Sequence, residues 1–230
     1  MSNKTIRSHP KFTGVFVSGP AGNWKLYTKN LIPGKEVYGE RLYQFKNEEY
    51  RAWDPYRSKL AAILLNNPML NLLSTDLRCL YLGASSGTTI SHLSDIAYKG
   101  TIYGVEFAPR SMRQLIQNTT KRKNLIPILS DARYPYKFAE SVFTDIDLIY
   151  QDVAQPNQAE IAIANSDYYL KKNGIIIITI KSQSINSVKS SERVYEEEKE
   201  KFKDSGYKII ESINIHRYAA NHIALIVQKE

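Results

Sequence analysis

Three ionisable residues stand where predicted strands reach one edge of a sheet. Asp152 lies at the end of the strand DLIYQDV, and Lys181 lies at the end of the strand IIIITIK. His222 begins the last strand, which we expect to run antiparallel, so its start shares that edge. Because ligands of such sheets bind outside the carboxyl ends of the strands, the three side chains would meet at one site. A lysine beside an aspartate can orient or deprotonate a hydroxyl, which predicts chemistry at a hydroxyl group.

Lys59 is a fourth candidate, because the helix YRSKLAAILLNN could bring it to the same edge. Each residue also has a non-catalytic interpretation. Asp152 could cap the helix that follows it, and Lys59 could lie on a solvated helix face. Lys181 could be a solvated residue at a strand end, and His222 an ordinary hairpin histidine. The prediction of a catalytic site therefore depends on the convergence of all four residues.

A turn of small residues, GASSG, joins a predicted buried strand to the start of a helix, and the next strand, TIYGVEF, ends on Glu106. This order of elements binds nucleosides, because the terminal carboxylate can accept both hydroxyl protons of a ribose. A dinucleotide fold would need G-x-G-x-x-G, yet Ser85 and Thr88 replace the second and third glycines. The remaining pair, Gly83 and Gly87, suits a pyrophosphate poorly. The turn favours S-adenosylmethionine, which has a ribose and no phosphate, over a nicotinamide dinucleotide.

Other polar residues could hold the remaining parts of such a cofactor. Gln155 in the loop after Asp152, and the hydroxyls of Thr88 and Thr89, would face its amino-acid end. Asp131 follows the strand NLIPILS, where an adenine amino group would lie. Helix capping explains the threonines equally well, and a polar loop before a helix explains the glutamine.

The pattern along the chain predicts two structural parts. Residues 1–54 contain short β-like segments separated by Gly, Pro and Asn turns, which is typical of a small antiparallel sheet. Residues 55–230 alternate between helix and strand and close with two strands that can pair as a hairpin. One helix is expected over 156–172, with Gly174 closing it. A mostly parallel, seven-stranded sheet with an antiparallel C-terminal hairpin is the α/β fold of class I methyltransferases that use S-adenosylmethionine.

Basic residues exceed acidic ones, 31 to 23, which gives a net charge of +8. Part of this excess is clustered, because residues 110–123 hold five basic side chains and no acid. Clustered basic charge predicts contact with a nucleic-acid backbone, although a general excess can also serve solubility.

The remaining composition excludes several classes of protein. Cys79, the single cysteine, lies in an apolar strand, so we expect a buried thiol, no internal disulfide and a reducing cytosol. The four histidines lack zinc-ligand spacing, so no metal site is expected. The first residues are polar and basic and lack an apolar core, so no signal peptide is expected. The longest aliphatic run is too short to span a bilayer.

Several longer motifs resemble fibrillarin, the family of RNA 2′-O-methyltransferases in box C/D ribonucleoprotein particles. They are YGERLYQF, EYRAWDPYRSKLAAILL, LYLGASSGTTISHLSDI, YGVEFAPRS, DARYP and DVAQPNQ, and the likeness extends from about Gly14 to the C-terminus. Eukaryotic fibrillarins begin with a long tail rich in glycine and arginine. This chain has only 11 glycines and no such tail, so it is similar to the archaeal form, and we expect a cytoplasmic location.

The resemblance implies S-adenosylmethionine as methyl donor and ribose 2′-hydroxyls of rRNA, with tRNA as a second substrate. It implies a box C/D guide RNA, a Nop-type scaffold protein and a kink-turn-binding protein as partners. The family's catalytic set would fall on Lys59, Asp152, Lys181 and His222. Its cofactor contacts would fall beside the turn at Gly83 and Ala84, on Thr88, Thr89, Glu106, Phe107, Asp131, Ala132, Asp152 and Gln155.

Overall fold

The computed structural model describes residues 5–229, which form two β-sheets and their flanking helices. The first sheet is antiparallel, with strand order β1-β2-β3-β5-β4. Its strands are β1 (Arg7–Ser8), β2 (Val15–Ser18), β3 (Lys25–Lys29), β4 (Leu42–Phe45) and β5 (Glu48–Trp53). Residues 1–4 and Glu230, which belong to the two predicted parts, lie outside the described residues.

The second sheet has seven strands in the order β11-β12-β10-β9-β6-β7-β8. They are β6 (Arg78–Leu82), β7 (Thr101–Glu106), β8 (Leu125–Leu129), β9 (Ile146–Gln151), β10 (Leu170–Lys181), β11 (Tyr207–Asn214) and β12 (His222–Lys229). Strands β6 to β10 pair in parallel, and β12 is antiparallel to both of its neighbours, β10 and β11. The predicted methyltransferase fold with a closing hairpin is therefore confirmed.

Within residues 5–229, six helices and a 3₁₀ segment, Pro135–Ser141, connect these strands. The helices are α1 (Lys59–Leu65), α2 (Thr88–Ile96), α3 (Pro109–Thr119), α4 (Gln158–Tyr169), α5 (Ser182–Ile185) and α6 (Ser191–Asp204). Helix α1 is shorter than the expected run, because Ser58 caps it: the Ser58 hydroxyl accepts the Ala61 N–H at 3.4 Å.

The prediction that Gly174 closes a helix over 156–172 is wrong. Helix α4 ends at Tyr169, and the extended backbone of Leu170 already begins β10. Gly174 lies inside that strand at a register shift, where a Cβ would overlap the Leu170 side chain. The left-handed residue is its neighbour, Asn173, with φ of 61°. The glycine is needed for close packing in a bulged strand. In the sequence alone, such a glycine looks the same as one that ends a helix.

One of the hydrophobic clusters spans both sheets. Phe12, Val15 and Trp53 of the first sheet region pack in the same cluster as Leu60 of α1 and Leu93 of α2. The cluster therefore joins the N-terminal strands to the helices that surround the second sheet. The domain division at residue 54 stays a prediction.

A buried ion network crosses the same contact. Asp95 of α2 binds the Arg51 guanidinium of β5 at 2.7 Å and the Arg122 guanidinium at 2.6 Å. Arg122 is only 4% exposed, so its assignment to an RNA-facing basic cluster over 110–123 is wrong. The Arg122 guanidinium, which the run of basic residues placed at the surface, instead neutralises the buried Asp95 carboxylate.

Cys79 is a fully buried thiol, as predicted, and burial raises its pKa. Within residues 5–229 no helix is both long enough and apolar enough to cross a bilayer. Across the same described residues, no group of three or more His, Cys, Asp and Glu side chains could hold a metal ion.

Candidate active site

The carboxyl ends of the parallel strands bring the predicted catalytic residues to one edge. Lys181 ends β10 and is paired in register with His222, the first residue of β12. The backbone N–H of Asp152, just after β9, donates to the Leu82 carbonyl at the end of β6, at 2.9 Å. The register of the sheet thus produces the convergence that the sequence pattern predicted.

Gly83 is required where β6 turns away from Asp152. Its φ is +86°, and a Cβ on this residue would overlap the Asp152 carbonyl oxygen. A side chain would therefore push the ends of two neighbouring strands apart. The glycine therefore allows the ends of β6 and β9 to lie close together beside Asp152.

The Glu106 carboxylate is buried and held by the backbone. Its Oε2 accepts the Ser85 N–H at 2.9 Å, and its Oε1 accepts the Ala108 N–H at 2.8 Å. Each carboxylate oxygen has two lone pairs, so both oxygens can accept one further proton. Two fixed oxygens with this remaining capacity fit the vicinal hydroxyls of a ribose.

A cavity of about 240 Å³ opens beside this carboxylate. Seven of the predicted site residues line it: Gly83, Glu106, Phe107, Asp131, Ala132, Asp152 and Gln155. A second cavity, of about 380 Å³, is lined by Lys59, Gly83, Ala84, Thr88, Thr89, Asp152, Lys181 and His222. The two cavities share Gly83, Ser85 and residues 152–154, so they form one cleft that contains every predicted site residue.

Asp152 is fixed from two directions. Lys59 Nζ lies 2.7 Å from its Oδ1 and 2.9 Å from its Oδ2, and the Thr179 hydroxyl donates to Oδ1 at 3.0 Å. Lys59 therefore faces the cleft. The alternative role of Asp152 as a helix cap is wrong, because the N-cap of α4 is Asn157.

His222 is 9% exposed, and its Nδ1 donates to the Ala220 carbonyl at 2.7 Å. That bond leaves the other ring nitrogen, Nε2, as the acceptor of a neutral imidazole. Burial is the largest effect and lowers the pKa of His222. The Lys59 and Lys181 charges lower it further, while the Ala220 bond and the Asp152 charge raise it by less. The ring is therefore neutral at physiological pH.

The two threonines at the start of α2 differ in their surroundings. Thr89 is buried, and its hydroxyl donates to the Ser58 hydroxyl at 2.9 Å. Because Ser58 caps α1, this bond ties the glycine turn to the helix that carries Lys59. Thr88 is half-buried and lines the cleft.

The end of the cleft beside Glu106 combines a charged side chain, Asp131, with an aromatic one, Phe107. The Asp131 carboxylate pairs with Arg133 at 2.6 Å, and this bond lowers the pKa of Asp131 despite partial burial. Asn165 donates to the Ala132 carbonyl at 2.7 Å, which fixes the backbone of this turn. Phe107 is 62% exposed, so its ring can cover a flat ligand.

Sequence reasoning missed Ser85 and Thr179, which each donate one of the hydrogen bonds that hold Glu106 and Asp152. Ser85 acts through its backbone N–H, and its φ of 51° aims that group at Glu106. Thr179 is the single hydroxyl in the buried run IIIITIK. A hydroxyl in such a run needs a buried partner, and that signal could have identified it.

Comparison with known proteins assigns this chain to a family. The family model for fibrillarin matches residues 6–230. A fibrillarin-like rRNA/tRNA 2′-O-methyltransferase of Pyrobaculum islandicum is 43% identical over 229 residues, covering 98% of this chain and 97% of that protein. The crystal structure of Aeropyrum pernix fibrillarin with natively bound S-adenosylmethionine has a TM-score of 0.87 and 41% identity, with 97% of each chain covered.

A solved fibrillarin/Nop5p complex contains a chain with a TM-score of 0.85 and 37% identity, covering 95% of this chain and 99% of that one. Each of these relatives matches at least 95% of this chain and at least 97% of its own length. The chain belongs to the fibrillarin family.

Proposed function

We propose that the protein is the catalytic subunit of a guide-RNA-directed box C/D ribonucleoprotein, and that it methylates ribose 2′-hydroxyls of rRNA and tRNA. The observation that carries the proposal is a single cleft with two differently equipped ends. A buried carboxylate with free lone pairs stands at one end, and the Lys59–Asp152 ion pair stands beside Lys181 and His222 at the other. The Pyrobaculum islandicum relative is named as an rRNA/tRNA 2′-O-methyltransferase, which is the proposed activity.

S-adenosylmethionine fits the first end of the cleft. Glu106 would accept the ribose hydroxyls, while Phe107, Asp131 and Ala132 would surround the adenine. Thr88, Thr89, Asp152 and Gln155, beside Gly83 and Ala84, would hold the amino-acid end. When bound, this cofactor supplies an electrophilic methyl group on a sulfonium ion. Bound S-adenosylmethionine in the Aeropyrum pernix fibrillarin supports the assignment.

The remaining residues would act on the 2′-hydroxyl. The Asp152 carboxylate, held by Lys59 and Thr179, would orient that hydroxyl together with Lys181 and accept or relay its proton. The neutral His222 Nε2 provides a second acceptor at the same edge. Placing two reactants in line can supply about 7–11 kcal/mol, so positioning would be the larger part of catalysis.

Partners would choose the target. The sequence has no RNA-recognition motif, KH loop or zinc knuckle, and base pairing to a guide RNA would meet this need. A Nop-type scaffold is supported by the similar chain in the fibrillarin/Nop5p complex. The family resemblance adds a kink-turn-binding protein, and the particle would work in the cytoplasm.

A labelled-methyl assay on the reconstituted particle tests the proposal. Label from S-adenosylmethionine should enter one ribose of a target RNA that pairs with the guide, and it should stay out of an unpaired control RNA. A particle that assembles with its guide and transfers no label would contradict the proposal, because the chain would then be an assembly subunit without catalysis.

A further inference from the structure

A groove beside the cleft combines aromatic and basic side chains outside the predicted site. It encloses about 450 Å³, and its lining includes Tyr56, Arg57, Arg217 and Tyr218. Arg57 also lines the cleft, in the cavity that contains Lys59. The groove and the cleft therefore adjoin at Arg57.

The loop before α1 presents Tyr56 and Arg57 immediately ahead of Lys59. Asp54 shapes this turn: its carboxylate accepts the Tyr56 N–H at 2.9 Å, and its carbonyl accepts the Arg57 N–H at 3.1 Å. The Arg57 guanidinium donates to the Tyr38 carbonyl at 2.9 Å and lies 4.6 Å from the Tyr38 ring centroid. Tyr56 is 66% exposed, so this ordered turn holds an aromatic ring in solvent.

The loop from β11 to β12 presents a matching pair, Arg217 and Tyr218, four residues before His222. The Tyr218 N–H donates to the Ile215 carbonyl at 2.9 Å, and the Arg217 guanidinium lies 5.4 Å from the Tyr218 ring centroid. The Tyr218 and Tyr56 rings meet edge to face at 5.1 Å. Each of the two loops that leads to a predicted catalytic residue thus also supplies a tyrosine and an arginine.

The charge of the groove favours an anionic occupant. Of the two acids in its lining, Glu40 is buried against Arg51, and Asp54 accepts the backbone of its own turn. The basic residues in its lining are Lys25, Arg41, Arg57 and Arg217. Aromatic faces beside guanidinium groups bind unstacked bases and the phosphates between them.

We propose that Tyr56, Arg57, Arg217 and Tyr218 form a platform for the RNA strand next to the nucleotide that enters the cleft. A base stacks on the tyrosines, and the adjoining phosphates lie against the arginines. The inference rests on the proposed function and specifies where that substrate lies. Stacking accepts every base, so the platform positions the strand without reading its sequence.

Tyr56→Ala tests the stacking surface in the reconstituted particle. The target-RNA concentration that gives half the maximal methylation rate should rise about tenfold, as expected for the loss of one base–aromatic stack. Affinity for S-adenosylmethionine should not change, because Tyr56 lies outside the cofactor end of the cleft. Tyr98→Ala is the matched control, since Tyr98 is 52% exposed between α2 and β7, at the opposite edge of the sheet.

Arg217→Gln tests the phosphate contact. The slope of log affinity for target RNA against log salt concentration should become shallower by about 0.7, the value for one phosphate of a single strand. Lys99→Gln is the control, because Lys99 lies 5.6 Å from the Tyr98 ring and forms a similar pair away from the cleft. An unchanged slope in the Arg217 variant would overturn the contact.

Crosslinking separates this inference from the proposed function. With 4-thiouridine next to the target nucleotide, the crosslinked peptide should contain Tyr56 or Tyr218. The platform is overturned if crosslinks map elsewhere, if the Tyr56 variant behaves like the Tyr98 variant, or if Tyr56→Ala prevents scaffold binding and leaves RNA affinity unchanged. A wild-type particle that crosslinks at Tyr56 and transfers no methyl group supports the platform and contradicts the proposed catalysis.

Discussion

At the scale of single residues, two carboxylates of the cleft, buried Glu106 and partly buried Asp152, are held by different groups. Glu106 is held by two backbone N–H groups, which leaves its outer lone pairs for a ligand. Asp152 is held by the Lys59 ammonium and the Thr179 hydroxyl, which fix the orientation of its carboxylate. One carboxylate is thus arranged to bind, and the other is arranged to act beside a cation.

Lys181→Ala should abolish methyl transfer while S-adenosylmethionine still binds. The residue ends β10 opposite His222, on the hydroxyl side of the cleft, and it does not line the cavity beside Glu106. A rate loss of about 10²–10⁴-fold is expected for a general-base or orienting group. Lys172→Ala, exposed near the other end of the same strand, is the control. Near-normal turnover in the Lys181 variant would remove its assigned role.

Glu106→Gln should weaken S-adenosylmethionine binding, measured by calorimetry. The amide keeps one acceptor oxygen and loses the charge, so a charge-assisted bond worth about 1.5–3 kcal/mol is lost. That range corresponds to an affinity loss of about tenfold or more. Glu140→Gln, at an exposed position of the 3₁₀ segment, should bind normally. Unchanged affinity in the Glu106 variant would exclude the ribose contact.

The pKa of His222 should lie below its ordinary value of 6.5 in the folded protein. Burial and the Lys59 and Lys181 charges disfavour the imidazolium, so the ring gains its proton only as pH falls below that value. Its contribution to stability is therefore complete above pH 6.5 and lost as pH falls through the folded pKa. An NMR titration of the ring, assigned with His222→Gln, measures this. A midpoint at or above 6.5 would contradict the burial argument.

At the scale of elements, the sequence pattern predicted the strands of the second sheet and the edge where their ends meet. Hydrophobic periodicity and composition can be read from neighbouring residues. The same holds for the strand ends at or next to Glu106, Asp152 and Lys181. Gly174 was misassigned because a glycine that packs in a bulged strand looks the same in sequence as one that ends a helix. That distinction depends on contacts with Leu170, which the pattern around Gly174 does not encode.

The supporting bonds of the site were less predictable than its charged groups. Thr179 and Ser58 are 27 and 31 residues away from the partners they hold, Asp152 and Thr89. Arg122 lies in a basic stretch that indicated RNA contact, yet it is buried against Asp95. Sequence spacing indicates which charges could meet at a sheet edge, whereas packing decides which charges become buried.

Asp95→Asn should destabilise the protein strongly, because this carboxylate neutralises two buried guanidinium groups, Arg51 and Arg122. Removing one partner from a buried ion pair costs about 3–5 kcal/mol, since the other charge stays buried. Glu48→Gln breaks the exposed pair with Lys29 and should cost no more than about 1 kcal/mol. Urea denaturation of both variants measures the difference, and similar unfolding free energies would contradict the network's role.

At the scale of the whole molecule, the first sheet contacts the helices that begin at the cleft. The buried network between β5 and α2 fixes the helix that begins at the glycine turn. The loop after β5 leads directly to Lys59, so the N-terminal sheet also positions a predicted catalytic residue. The small sheet is therefore expected to support the geometry of the cleft.

The guide RNA should decide which nucleotide is methylated. The proposed platform stacks bases without reading them, and the cleft binds a ribose, which every nucleotide carries. Two guide RNAs that differ only in their pairing segment should direct label to two different riboses of one target RNA, mapped by primer extension. The isolated chain should methylate the same RNA poorly or not at all, because nothing then holds a chosen ribose in the cleft. Robust methylation of one fixed site by the chain alone, or by particles with either guide, would show that the protein selects the site itself.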